Sequence, residues 1–427
     1  MSLLIDLEDA YDTNEILQSL RKKETDDRAV SKLKIEYWGE ESLTEDQLTP
    51  AFAALNGLSE LKQLRINLGD HGENKLPVEL LARAIQSIHG LSVLCLDSIT
   101  LTGQTEEFAA LAYAVEGHLT LSCVCLSMIT AYNEGERRHD LGGNEEEKVN
   151  TTAVCLQPLL VSLANLPTMR VLELDEVPTS KAALESICQS KYIQELELWN
   201  LPAVNDHIIS LVSLLKQNVT LTKLEICSCQ LSSDAGYLLV DMLQKNKFLQ
   251  SIVLEVEWGS TMFGRPIAAI LQGNQALTNL HMICVQSGHI RSSPEANCSA
   301  EAYASAICSG LESNHSLQRL TIEFQQSRIF CNDNSRLLQA FSKPLLKALE
   351  RNHTLQQFAL TGGRCNAPLT WGPSICFLMQ LNQAGRSRWP HTEHKYHSMM
   401  QHLLSVHEEH DLSTLFYFLS LHPHLLW

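Results

Sequence analysis

The sequence predicts an α/β solenoid with a parallel inner sheet, outer helices and a helical cap at each end. The first observation is the spacing L-x-x-L-x-L, as in Leu221, Leu224 and Ile226, which alternates inward and outward side chains as a short strand does. The second is the run from Tyr237 to Leu243, in which apolar residues recur at helical spacing. Leu249 then starts the strand spacing again, 28 residues after Leu221, so a unit of one strand and one helix repeats.

Eleven strand signatures of this kind follow one another along the chain. Their first residues are Val30, Leu61, Leu91, Leu121, Met169, Ile193, Leu221, Leu249, Leu277, Leu317 and Leu355. The last five of the regular repeats carry an asparagine three residues before the strand, namely Asn218, Asn246, Asn274, Asn314 and Asn352. We expect this asparagine to end the preceding helix in a left-handed conformation, which asparagine tolerates.

The repeated unit resembles the ribonuclease-inhibitor-like class of leucine-rich repeat, in which one strand and one helix form each turn of a horseshoe. The resemblance implies an asparagine or cysteine eight residues after the first leucine, where its side chain hydrogen-bonds the backbone of the turn. Cys229 stands at that position after Leu221, whereas most other repeats carry an apolar residue or glycine there. We therefore expect varied loops after the strands.

The patterns divide the chain into three segments. Residues 1–29 are predicted to form an N-terminal cap with one amphipathic helix, residues 30–368 a solenoid of about eleven repeats, and residues 369–427 a helical C-terminal cap. A charged insert at 133–148 interrupts the repeat after Leu121, and its low hydrophobicity predicts a mobile loop. The stretches F-L-M-Q-L-N-Q-A-G-R and L-F-Y-F-L-S-L-H-P resemble the tail of many microalgal leucine-rich repeat proteins, which implies no activity.

The composition argues against several classes of partner. A formal net charge of −17 disfavours nucleic acid and anionic membrane surfaces, because both attract an excess of lysine and arginine. The spacings of the 13 cysteines fit neither a disulfide framework nor a zinc site, so we expect reduced, mostly buried thiols. The N-terminus lacks the features of a signal peptide, and no apolar run reaches membrane-spanning length. The expected location is the cytoplasm, with the nucleus as an alternative.

The outward positions of the strands predict an acidic concave face. Equivalent positions on neighbouring strands lie about 5 Å apart and form ladders. Around Trp199 the ladders hold Glu173, Asp175, Glu195, Glu197, Glu225 and Glu255. Because like charges on neighbouring strands repel, we expect a protein partner with a basic surface to bind here, with Trp199 as an anchor. The alternative is the merely solvated surface of an acidic protein.

Three other stretches have both a functional and a structural interpretation. Residues 137–139 (Arg-Arg-His) of the insert could close over the acidic face, or the insert is only a tolerated loop. His391, His394 and His397 share a helical face and could bind a metal, but a solvated cap fits them better. The stretch 76–85 looks like the start of an F-box, yet its apolar spacing is that of a core helix.

The sequence contains no nucleophile elbow, phosphate-binding loop, zinc-protease motif or dinucleotide fingerprint, so no catalytic residue, metal or cofactor is predicted. The predicted function is a non-catalytic intracellular module for protein–protein interaction. The alternative is a regulator of a small GTPase, because leucine-rich repeat activators of Ran-type GTPases share this type of repeat. That resemblance is at the level of the fold, and no motif accompanies it.

Overall fold

The computed structural model describes most of the chain between Ser2 and Gln383. The described residues are 2–6, 30–37, 43, 45–55, 58, 60–69, 75–133, 145–201, 203–258, 264–286, 300–325, 334–362 and 371–383. The chain divides into two compact units, Met1–Gln230 and Leu231–Trp427.

The first unit alternates strands with helices. Its strands are β1 Ser2–Asp6, β2 Lys32–Glu36, β3 Gln63–Asn67, β4 Lys75–Pro77, β5 Val93–Gly103, β6 Cys123–Asn133, β7 Val171–Asp175, β8 Glu195–Trp199 and β9 Lys223–Cys227. Its helices are α1 Glu45–Leu55, α2 Val78–Ser87, α3 Thr105–Glu116, α4 Glu145–Asn165, α5 Lys181–Gln189, α6 Ala203–Asp206 and α7 Ile208–Gln217. The strands pair in parallel in the order β1-β2-β3-β5-β6-β7-β8-β9, and the short β4 pairs with β5.

The second unit continues the same alternation. Its strands are β10 Ser251–Trp258, β11 Asn279–Gln286, β12 Arg319–Gln325 and β13 Gln357–Gly362, paired in parallel in that order. Its helices are α8 Ser233–Lys245, α9 Gly264–Gly273, α10 Ala300–Ser313, α11 Asn334–Arg351 and α12 Pro373–Gln383. Ser232 caps α8 as its position predicts, because its hydroxyl accepts from the backbone N–H of Ala235 at 3.3 Å.

The burial pattern explains why these residues form these elements. In β9 the side chains of Leu224 and Ile226 are 0% and 1% exposed, whereas Glu225 between them is half-buried. Helix α2 likewise buries Leu81 and Ile85, so the stretch 76–85 packs as part of the core. The apolar core of each unit lies between its sheet and its helices.

Parallel pairing keeps equivalent repeat positions side by side. Leu172, Leu196 and Leu224 are direct partners on β7, β8 and β9. Adjacent strands of a sheet lie about 4.8 Å apart, so this register stacks both the buried leucines and the outward residues between them.

In the second unit an asparagine at the end of each helix connects successive repeats. The amide nitrogen of Asn314 donates to the carbonyl oxygens of Leu271 at 2.8 Å and Asn274 at 2.9 Å. Its side-chain oxygen accepts from the backbone N–H groups of Ser316 at 3.1 Å and Leu317 at 2.8 Å. The equivalent residues form what we call the asparagine ladder, Asn246, Asn274, Asn314 and Asn352. Each step satisfies buried carbonyls of one repeat and starts the next strand.

The prediction of a left-handed conformation for these asparagines is wrong. Asn218 and Asn246 are extended, with φ of −68° and −72°. The side chain has to reach the neighbouring repeat and the next strand at once, and the extended backbone allows this. Left-handed residues occur instead seven residues after the first leucine, at Ser98, Met128, Glu176, Asn200 and Ser228.

Other side chains take the asparagine position in parts of the first unit. His118 is 5% exposed, and its Nε2 donates to the carbonyl oxygen of Ile88 at 2.7 Å. Because a carbonyl only accepts, Nε2 carries the proton and Nδ1 is the unprotonated nitrogen, 3.3 Å from the hydroxyl of Thr120. Burial lowers the pKa of His118, although the hydrogen bond to Ile88 opposes this effect.

Ser190 occupies the same position one repeat before Asn218. Its hydroxyl donates to the carbonyl oxygen of Ala164 at 2.6 Å and accepts from the backbone N–H of Ile193 at 3.3 Å. A hydroxyl supplies a single hydrogen, so Ser190 donates to one carbonyl group, whereas an asparagine amide at this position donates to two.

Two boundaries differ from the prediction. β1 lies within residues 1–29 and pairs with β2, Ser2 opposite Lys32, so the sheet begins one strand before Val30. In the insert, Asn133 is the last residue of β6 and Glu145 the first of α4, so the predicted loop at 133–148 is too long. The rest of the insert and the amphipathic helix predicted within 1–29 lie outside the described residues.

Helix α12 packs on the last repeat of the second unit. Trp371 stacks on Phe358 with ring centroids 5.3 Å apart, and its Nε1 donates to the carbonyl oxygen of Phe358 at 2.7 Å. Asn382 donates to the carbonyl oxygens of Asn352 at 3.1 Å and Leu355 at 2.8 Å. The inter-repeat amide contacts therefore continue into the segment predicted as a C-terminal cap. Residues 384–427, with the C-terminal histidines, lie outside the described part.

None of the helices that the structure describes combines the length and apolar character that a membrane crossing requires.

We expect Asn314→Ala to lower the free energy of unfolding by about 2–4 kcal/mol, because two buried carbonyls and two N–H groups lose their partner. Asn314→Asp keeps an acceptor but cannot donate when ionised, so it should destabilise as well. Urea denaturation followed by circular dichroism measures both variants. The exposed neighbour Ser313 provides the control Ser313→Ala, and equal losses in all three variants would contradict the role of the amide.

His118 predicts a pH dependence of stability. Its folded-state pKa lies below the ordinary value of 6.5, so its contribution is fully present above that pH and is lost as pH falls through the folded-state pKa. His118→Asn introduces the residue of the asparagine ladder and removes the titration. Between about pH 8 and about pH 5, the wild type should lose stability relative to this variant. A constant difference in unfolding free energy across that range would show that the prediction is wrong.

Candidate functional site

Six of the seven predicted site residues lie together on three neighbouring strands of the first unit. They are Glu173 and Asp175 on β7, Glu195, Glu197 and Trp199 on β8, and Glu225 on β9. All six are half-buried and alternate with buried residues, so they share the open face of the sheet. The seventh, Glu255, is half-buried on β10 in the second unit, opposite Ile283.

The parallel register arranges the six residues in columns. Glu173, Glu197 and Glu225 are direct partners on β7, β8 and β9. Asp175 and Trp199, the last residues of β7 and β8, are also direct partners. We call these six residues together with Lys223 the acidic face.

Lys223 is the cation of the acidic face and binds two of its carboxylates. Its Nζ lies 2.6 Å from Oε1 of Glu197 and 3.0 Å from Oε1 of Glu225. Burial on its own lowers the pKa of Lys223, but the hydrogen bonds and charges of Glu197 and Glu225 outweigh it and raise the pKa above the ordinary value. The ammonium therefore holds together two carboxylates that would otherwise repel each other across neighbouring strands.

Asp175 is held by neutral donors. The Nδ2 of Asn200 donates to Oδ1 of Asp175 at 2.7 Å, and the hydroxyl of Ser127 donates to its Oδ2 at 3.4 Å. Asn200 has a positive φ of 53°, so the turn after β8 is what aims its side chain back at β7. Neutral donors fix the position of the carboxylate but leave its charge in place.

The acidic face is strongly negative as a whole. β7, β8 and β9 are described over their full length, and their outward positions carry five carboxylates and one ammonium. Trp199 is half-buried, so it offers part of an aromatic surface beside Asp175 and not a fully exposed ring. Cys227, the direct partner of Trp199 on β9, is 0% exposed, which shortens the face at β9.

Cys229 makes the contacts that its position in the repeat implies. It is fully buried, and its thiol donates to the carbonyl oxygens of Leu198 at 3.4 Å and Cys227 at 3.2 Å. The turn after β9 is therefore fixed by a side chain from inside the core.

The columns continue from the acidic face into three half-buried cysteines, which the sequence analysis treated as mostly buried thiols. Cys125 is the direct partner of Glu173 on one side and of Cys95 on the other. Cys123 lies two residues from Cys125 and therefore on the same face of β6. The C-x-C spacing within a strand signature was the signal that could have revealed this cluster.

The structure describes neither the basic residues 137–139 of the insert nor the C-terminal histidines. Their proposed roles therefore stay predictions. Among the residues that it does describe, no group of three or more His, Cys, Asp or Glu side chains has a geometry that would hold a metal ion.

The repeated strand and helix, the parallel register and the buried leucines together define the fold of both units. Each unit is an α/β leucine-rich repeat solenoid. No protein-family model and no curated protein matches the chain. Among solved structures, the crystal structure of the leucine-rich repeat-containing protein LegL7 from Legionella pneumophila is similar, with 12% sequence identity and a TM-score of 0.42. The similarity covers 90% of this chain and 98% of that one.

Lys223→Met should destabilise the protein by about 1 kcal/mol, because Glu197 and Glu225 lose the charge between them. The deficit should shrink in high salt, which screens the remaining repulsion. Since the pKa of Lys223 is raised above 10.5, its contribution is present below that pH and is lost as pH rises through the folded-state pKa. Urea denaturation at low and high salt measures the effect, and Lys223→Arg is the control that keeps the charge. A deficit of the same size in Lys223→Arg would contradict the electrostatic explanation.

Proposed function

We propose that the acidic face binds a basic segment of a protein partner, and that the chain acts as a non-catalytic protein-interaction module. The observation that carries the proposal is the excess of charge on three adjacent strands, with five carboxylates and one ammonium beside Trp199. Carboxylates stacked on neighbouring strands repel one another, and a cationic ligand would relieve that repulsion.

Lys223 relieves only part of this repulsion. It pairs with Glu197 and Glu225, whereas Asp175 is held by the neutral donors Asn200 and Ser127. Glu173 and Glu195 stand at the edges of this arrangement, on β7 and at the start of β8. These two glutamates are the positions where a lysine or arginine of a partner would gain most.

The chemistry of the face defines the kind of segment that would fit. Two or three lysine or arginine side chains would pair with the carboxylate columns, whose strands lie about 4.8 Å apart. An apolar side chain next to them would pack on the exposed part of Trp199, and aromatic anchors of this kind commonly dominate binding energy. The partner is thus a protein with a basic surface, and nucleic acid and anionic membranes are not proposed, given the net charge of −17.

The same proposal places the module in the cytoplasm or nucleus. The ten cysteines in the described part of the chain are reduced thiols, as is usual in a reducing compartment.

The double variant Glu195→Lys/Trp199→Ala tests the proposal and keeps Glu197 and Glu225, the two carboxylates that pair with Lys223. We expect it to weaken binding of a fluorescein-labelled peptide of alternating lysine and leucine by at least about tenfold, measured by fluorescence anisotropy. Binding by the wild type should also weaken as salt concentration rises. The wild type and the double variant, used to capture partners from lysate, would show whether the double variant also retains less of a cellular protein.

Glu60→Lys is the matched control, because Glu60 is exposed before β3 and the substitution changes the net charge equally. Equal binding by the wild type, the double variant and Glu60→Lys would rule out the acidic face as the site. Equal loss in both variants would mean that the peptide responds only to the total charge of the chain.

Regulation of a Ran-type GTPase, the alternative function, differs from this proposal in one measurable respect. A regulator of that type would accelerate GTP hydrolysis by the GTPase. Binding of basic segments without any acceleration would leave the interaction module as the function.

A further inference from the structure

Three thiols form a cluster on the open face of the first unit, beside the acidic face. Cys95 on β5 and Cys125 on β6 are direct partners in the parallel register, and Cys123 lies two residues from Cys125. All three are free and half-buried, so solvent reaches them. By contrast Cys188, Cys227 and Cys229 of the same unit are fully or almost fully buried.

The backbone places Cys95 and Cys125 at the separation that a disulfide requires. Direct partners on neighbouring strands have Cα atoms about 4.8 Å apart, within the range of about 4.4–6.8 Å found for disulfides. Their side chains leave the sheet on the same face, and the two thiols already share a hydrogen bond. Residues two apart on one strand are separated by about 6.6 Å with parallel side chains, so Cys123 and Cys125 fit a disulfide less well.

The hydrogen bonds also divide the cluster into acceptors and a donor. The hydrogen bond from Cys125 lowers the pKa of Cys95, and it outweighs burial, which raises that pKa; the charge of Arg65 assists. The hydrogen bond from Cys125 also lowers the pKa of Cys123, although burial and the negative charges of Cys95, Glu173 and Glu195 raise it. The hydrogen bonds to Cys123 and Cys95 raise the pKa of Cys125. Because Cys125 has a single S–H hydrogen, it donates to Cys95 or to Cys123 at any one time, and the thiolate, which is the reactive form, is favoured at the sulfur that accepts it.

From this geometry we infer that Cys95 and Cys125 are a site of reversible oxidation, at which a peroxide converts the two facing thiols into an intramolecular disulfide. In the first step the Cys95 thiolate attacks hydrogen peroxide, the O–O bond breaks, and sulfenic acid and hydroxide form. In the second step the Cys125 sulfur attacks the Cys95 sulfur, the S–O bond breaks, and water leaves with the proton of the Cys125 thiol. Overall, two thiols lose two electrons and hydrogen peroxide is reduced to two molecules of water.

Cys123 is placed to begin reduction of the disulfide. It lies two residues from Cys125 on the same face of β6, so its sulfur stands next to one sulfur of the disulfide. Attack by Cys123 on Cys125 would transfer the bond and release Cys95, which leaves a more strained Cys123–Cys125 link open to external thiols. The inference does not depend on what the acidic face binds.

The test treats the folded full-length chain with stoichiometric hydrogen peroxide, blocks the remaining thiols by alkylation and maps the peptides by mass spectrometry without reduction. We expect a Cys95–Cys125 link with a mass loss of about 2 Da, reversed by dithiothreitol. Cys125→Ser should abolish the link and leave sulfenic acid at Cys95, which dimedone traps. Cys376, half-buried in the second unit with a pKa raised by burial, is the internal comparator and should oxidise more slowly.

Several outcomes would overturn the inference. One is a main product that links Cys123 to Cys125, which would refute the pairing. Another is sulfenic acid at Cys95 in the wild type without any disulfide, and a third is oxidation of Cys376 at the same rate as Cys95. A circular dichroism spectrum of Cys125→Ser that matches the wild type shows that loss of the link does not come from unfolding.

Discussion

The solenoid depends on one recurring contact, the side-chain amide that joins the end of one helix to the neighbouring repeat. A helix that ends against another repeat leaves carbonyl groups buried, and the strand that starts there leaves N–H groups buried. An amide carries donors and an acceptor in one plane. Asn314 donates to a carbonyl group of the preceding repeat and accepts from the backbone N–H of Leu317 in its own repeat. A carboxylate has no donor and a hydroxyl has one, so Ser190 donates to a single carbonyl.

Sequence patterns predicted the fold because one spacing controls both burial and register. Leu196 and Leu224 are buried for the same reason that they are strand partners. The conformation of the asparagines could not be predicted, since a left-handed helix end and an inter-repeat amide place the same residue at the same spacing. β1 was missed because its short apolar run shows only the last two positions of the strand signature, Leu3 and Ile5, and Asn382 because no strand signature follows it.

The acidic face was predictable in position and less so in its balance of charge. Alternation along a strand, together with parallel register, was enough to bring Glu173, Glu197 and Glu225 into one column. The burial of Cys227 depends on how the chain turns after β9, and the sharing of Lys223 between two carboxylates depends on side-chain reach. Neither follows from periodicity. The pairing of Cys95 with Cys125 does follow from periodicity, because both cysteines occupy the same position of the strand signature.

A left-handed residue recurs seven residues after the first leucine in five repeats, and its side chain differs although the backbone conformation is the same. Such a conformation costs a non-glycine residue about 1 kcal/mol, yet serine, methionine, glutamate and asparagine all occupy this position of the repeat. Met128, Glu176 and Ser228 are exposed at that point. At this edge of the first unit, equivalent residues on neighbouring strands thus lie about 4.8 Å apart. Their side chains differ from repeat to repeat, while their backbone conformation stays the same.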